Sequence, residues 1–84
     1  MTNKTSNRIR LSRNFSLSEI QDLNKLTPLS AAGQILARNG FKLPKIGDEW
    51  FGGMIAETEY HFANGSSAIQ AAILAIESTH PAFA

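Results

Sequence analysis

Cysteine is absent from this 84-residue chain, which excludes disulfides, thiolate catalysis and cysteine-type zinc sites. Lys and Arg are absent from residues 46–84. No apolar run approaches the roughly 18 residues of a membrane span, and the polar N-terminal stretch lacks the apolar centre of a signal peptide. These absences predict a soluble, cytoplasmic protein. A glycine-rich phosphate loop, an HExxH pair and a Ser-His-Asp pattern with structural context are also missing. The chain is therefore expected not to be an enzyme and to need no cofactor. Its 18% charged and 43% hydrophobic contents are ordinary for a globular protein.

What is present is a segregation of charge. Lys4, Arg8, Arg10, Arg13, Lys25, Arg38, Lys42 and Lys45 face only Glu19 and Asp22 within residues 1–45, a net +6. Asp48, Glu49, Glu57, Glu59 and Glu77 give the remainder −5. Such a split suggests an anion-binding half, or two halves that face each other across a fold or a subunit contact. One domain of this length has a marginal core, and without cysteine the remaining reinforcement is oligomerisation.

The pattern of residues predicts an all-α chain: a flexible basic arm over residues 1–14, then a single helical domain over 15–84. Ile9 and Leu11 are the arm's apolar anchors beyond Met1. Ser16-Leu17-Ser18-Glu19 reads as a capping box with Phe15 stapled against Ile20, opening a short helix from Leu17 to Leu26. Thr27-Pro28 ends or kinks it and caps a second helix whose apolar face is Leu29, Ala32, Ile35 and Leu36. Asn39-Gly40 stops that helix. Asp48 and Glu49 then cap a ladder of Trp50, Met54, Thr58, Phe62, Gly65, Ile69, Ile73 and Ile76. Its register predicts one long helix from Glu49 to Glu77, with a break at Asn64 as the alternative. At 1.5 Å per residue it would be about 44 Å long, overhanging its own domain and calling for a second protomer. Alanines along it would allow close helix–helix approach.

Among candidate sites, the basic arm is the strongest. Guanidinium groups bind phosphates bidentately, and no carboxylate lies within the arm to neutralise them. The competing reading is a solvated tail. Glu57 and His61, four apart, lack a third ligand and read as surface residues rather than a metal site. Tyr60 and Trp50 read as packing or interface residues, and His80 has no evident partner. A helix-turn-helix over residues 17–40 would place Pro28-Leu29-Ser30-Ala31-Ala32 against bases, and these offer little to read.

The run Ile9-Arg10-Leu11-Ser12-Arg13-Asn14-Phe15-Ser16-Leu17-Ser18-Glu19-Ile20, followed by Leu23-Asn24, resembles the opening of the phage anti-CBASS cyclic-nucleotide sponges. Asp48-Glu49-Trp50, Gly65, Ala75-Ile76 and Pro81-Ala82-Phe83 resemble in order that family's C-terminal helix. The same helical hairpin occurs in anti-Thoeris sponges. The family's stacking tyrosine falls at Ser12 and its phosphate-contacting lysine near Thr27, so Phe15 and Lys25 are the nearest substitutes. The resemblance implies a non-catalytic homo-oligomer, hexameric in characterised members, that sequesters cyclic di- or trinucleotides between protomers in the host cytoplasm. On that reading Arg8, Arg10, Arg13, Phe15 and Lys25 hold the ligand. Three other readings stay open: an accessory protein that inhibits a host protein by contact, a weak nucleic-acid binder acting through the arm, and a structural helical oligomer.

Overall fold

In the computed structural model, which describes Leu11 and residues 15–83, the chain is all-helical. Helices α1 (Leu17–Leu23), α2 (Pro28–Arg38), α3 (Phe51–Ala63) and α4 (Ala68–Thr79) follow one another with no strand among the described residues. The first boundary follows the capping chemistry. Ser16 Oγ accepts the Glu19 N–H at 3.2 Å, and Glu19 Oε1 accepts the Ser16 N–H at 2.9 Å. Helix α1 ends at Leu23, not Leu26, because Thr27 must be extended before Pro28 (φ −65°, ψ 151°). Lys25 and Leu26 accordingly donate to carbonyls three residues back, at 3.0 Å each. Thr27 Oγ1 then accepts the Ser30 N–H with Pro28 in the first turn, so α1 and α2 are separate helices.

Two Asn-Gly dipeptides end α2 and α3 by the same chemistry. Gly40 has φ 84° and Gly65 has φ 102°. Phe41 N–H reaches the Leu36 carbonyl at 2.9 Å, and Ser66 N–H reaches the His61 carbonyl at 3.1 Å. These six-to-one bonds define a Schellman stop at each site. Ser67 Oγ, accepting the Gln70 N–H at 3.1 Å, restarts the chain as α4. The long helix expected from Glu49 to Glu77 is therefore two helices, and the overhang expected to call for a second protomer does not form. The expected cap also differs. Asp48 Oδ2 accepts the Lys45 N–H at 2.8 Å, closing a turn over Gly47 (φ 99°). Helix α3 begins behind Trp50, which supplies no side-chain cap.

Helix α4 forms the centre. It packs on α3 and α2 and touches α1. Its inward face, Ala68, Ile69, Ala71, Ala72, Ala75 and Ile76, meets a core of Leu23, Ala31, Ala32, Ile35, Leu36 and Met54, with Leu11 among them at 1% exposure. Thr58 is buried with its hydroxyl donating to the Met54 carbonyl at 2.6 Å. That bond removes the cost of an orphaned polar group. Asn24, beyond α1, reaches across 45 positions to accept the Ile69 N–H on its Oδ1 at 2.9 Å. One of the orphan donors of α4's first turn is thus satisfied from another helix. Asn39 Nδ2 donates to the Ile35 carbonyl at 2.8 Å and to the Leu11 carbonyl, fixing Leu11 beside the end of α2.

Glycine substitutions separate the two backbone roles. A Cβ at Gly33, inside α2, would meet nothing within 4 Å, so Gly33→Ala should raise stability by about 0.5–1 kcal/mol. At Gly65 the space is equally open but φ is 102°, so Gly65→Ala should lower it by about 1–2 kcal/mol. Urea unfolding of both variants checks the opposed signs. By the same assay, Asn24→Ala should cost about 1–2 kcal/mol through the orphaned Ile69 N–H.

Candidate functional site

Arginines 8, 10 and 13, the first ligand-binding candidates, lie outside the described residues. Leu11, between the last two in sequence, is buried and bound through its carbonyl to Asn39. Leu11 is thus fastened to the C-terminal end of α2. Arg38, in that last turn, lays its guanidinium over the Phe15 ring at 4.7 Å from the centroid. Its Nη2 donates to Glu19 Oε2 at 2.6 Å. Glu19 carries two roles, since its other oxygen closes the capping box. The Ser16 backbone hydrogen bond, followed by the Arg38 pair, pulls its carboxyl below the ordinary glutamate range.

Phe15, Glu19, Asp22, Leu23, Leu26, Gln34 and Arg38 line a shallow groove of about 200 Å³ between α1 and α2. Phe15 is half-buried against the core beneath Arg38. A base stacking on the ring from the Arg38 side would have to displace that guanidinium. Lys25 stands at the other end of α1. Seven helical residues, about 10 Å of rise, separate its end from that of Phe15. Its Nζ lies 3.8 Å from Asp22 Oδ1, with both side chains more than three-quarters exposed. The fold therefore brings Phe15 together with Arg38 and Glu19, and leaves Lys25 apart. Arg38 was not among the sequence candidates. Its sequence signal is its position as the one basic residue inside α2.

A second groove, of about 220 Å³, lies between the start of α2 and the C-terminal half of α3. Thr27, Pro28, Leu29, Ile55, Thr58, Glu59, Phe62 and Ala63 line it. Glu57 and His61 pair on α3 at 3.2 Å. Among the described residues, no group of three or more His, Cys, Asp and Glu could hold a metal ion. No helix among them is long and apolar enough to cross a membrane.

His80, without an evident partner in the sequence, joins an aromatic cluster. Its ring centroid is 4.8 Å from Trp50, 5.0 Å from Phe41 and 5.9 Å from Phe83. Trp50 is accordingly a packing residue, whereas Tyr60 is largely exposed with its ring edge against His61. Nδ1 of His80 accepts the Ala82 N–H at 3.1 Å, placing the neutral ring's proton on Nε2. Burial lowers the His80 pKa below its usual 6.5.

Compared with known protein families, with curated proteins and with solved structures, the chain finds no match.

The His80 shift fixes a sign for pH dependence. Below pH 6.5 the unfolded imidazole takes up a proton before the folded one does. Its contribution is thus present above pH 6.5 and declines as the pH falls toward the lower folded value. Urea unfolding at pH 7.5, 6.5 and 5.5 should show His80→Phe losing less stability on acidification than the parent chain. Parallel curves would remove His80 from the account.

Proposed function

We propose that this chain is a non-catalytic binding protein that captures phosphate-rich cyclic oligonucleotides and sequesters them intact. The observation that carries the reading is the anchorage of Leu11. Leu11, which follows Arg10 and stands two before Arg13 in the sequence, is tied through its buried side chain and the Asn39 amide to the end of α2 that bears Arg38. Arg10 and Arg13 neutralise ligand phosphates, for which their forked donors suit two oxygens at once. Arg38 is the third cation, exchanging its bond to Glu19 for one to the ligand. Phe15, uncovered by that exchange, offers a ring for a base. Lys25 contributes long-range attraction rather than contact.

The likeness of residues 9–24 to the opening of the anti-CBASS sponges supports the choice of ligand class. On the same likeness, a neighbouring protomer of a homo-oligomer closes the site. Sequestration needs only affinity and abundance, which suits a chain whose polar clusters, among the described residues, are caps, ion pairs and turns.

A thermal-shift panel of cyclic di- and trinucleotides tests this, with linear dinucleotides and a short DNA duplex as controls. A ligand at 100 times its Kd adds about 2.7 kcal/mol, enough to raise the midpoint of a domain this size by about 10 °C or more. One cyclic species should shift the midpoint and be recovered intact. Arg10→Ala with Arg13→Ala should abolish the shift, and Arg38→Ala should reduce it. Equal shifts with the duplex, lost steeply with salt, would mark general nucleic-acid binding instead. No shift with any cyclic species would overturn the proposal.

A further inference from the structure

The groove between α2 and α3 lies at the opposite end of α2 from Arg38 and Phe15, and the proposed ligand site makes no use of it. Its walls are Pro28 and Leu29 on one side and Ile55, Thr58, Phe62 and Ala63 on the other. Phe62 is 51% exposed and Leu29 37%. From Ile55 to Phe62 the wall runs seven residues, about 10 Å, matching two turns of a docked helix. The helix ends at the groove oppose each other, since α2 presents its N-terminus and α3 its C-terminus. Glu59 is the one acidic residue in the lining, and every Asp and Glu after Gly47 lies in a stretch without Lys or Arg.

We propose that this groove docks an amphipathic helix of a partner protein, with an apolar stripe at i, i+4 and i+7 and Lys or Arg beside it. The stripe fills the channel and the cations face Glu59. A second copy of this chain does not supply such a helix among its described elements. Arg38, in the last turn of α2, is the one Lys or Arg within α1 to α4, so no helix of the chain carries cations along an apolar stripe.

Fluorescence anisotropy with labelled 16-residue helical peptides tests the proposal on the full chain. One peptide carries Leu at i, i+4, i+7 and i+11 with Lys flanks, a second has Glu flanks, and a third scrambles the Leu positions. The Lys-flanked peptide should bind about fivefold tighter than the Glu-flanked one. The scrambled peptide should bind weakly. Glu59→Lys, at an exposed position, should erase or reverse the flank preference without changing the melting temperature. Phe62→Ser should weaken the patterned peptide about tenfold. Three results would overturn the proposal: tighter binding of the Glu-flanked peptide, which assigns the contact to the basic N-terminal segment; equal binding of patterned and scrambled peptides; or a dimer on size exclusion that Phe62→Ser dissociates, which assigns the groove to a second copy.

Discussion

Everything in this fold depends on the left-handed backbone at Gly65. A helix that continued through this position would carry Ile69, Ile73 and Ile76 away from α2, and the domain would have no centre. At φ 102° the chain reverses instead, and the carbonyls that α3 leaves open are met by Gly65 and Ser66. Only glycine reaches that conformation without a Cβ penalty. Ser67 then supplies the cap that makes resumption of the helix favourable. Stop, reversal and restart occupy four residues.

Once α4 is folded back, its composition sets how closely it can approach. Ala68, Ala71, Ala72 and Ala75 are buried on one face of α4, and α2, which packs on it, contributes the buried Ala31 and Ala32. Small side chains on both surfaces bring the backbones near one another, and the larger Ile35, Leu36, Met54 and Ile76 fill the space to either side. An alanine-rich contact has little apolar area per residue, so directional bonds matter more here than in a leucine core. Asn24 and Asn39 supply them. Each ties an element remote in sequence to a helix terminus, Ile69 of α4 in one case and the Leu11 carbonyl in the other. The domain is held by shape and by amide side chains at helix ends.

How legible this was depends on whether the determining signal is local. The Ser16 capping box, the Thr27-Pro28 start and the Asn39-Gly40 stop are short-range chemistry, and each stands where the residues place it. The Asn64-Gly65 stop carries the same dipeptide, yet the apolar ladder runs straight through it. A four-residue connection explains why: at about 100° per residue it returns the phase to within about 40° of its start, so periodicity cannot see the turn. Ser67 with Gln70 three residues on was the signal that could have revealed it. Nothing local announces that Asn24 would cap a helix 45 positions away, that Arg38 would reach Glu19, or that His80 would find Trp50 and Phe41. The Asn24 and His80 pairings exist only after α4 has folded back.

The position of Arg38 bears on what the basic half of the chain can do. A guanidinium over an aromatic ring and against a carboxylate is already satisfied, so an anionic ligand must compete with Glu19 for it. Glu19 is held in turn by the Ser16 N–H, and loss of Arg38 would leave it capped rather than orphaned. That exchange is inexpensive because both partners are roughly half exposed, where an ion pair contributes little. A buried pair at this position would lock the face; a half-exposed one fixes the guanidinium's location over Phe15. At the far end of α2, Glu59 stands beside an apolar channel. The two grooves thus lie at the two ends of one 11-residue helix, one lined by Arg38 with Glu19 and Asp22, the other with Glu59 as its one charged residue.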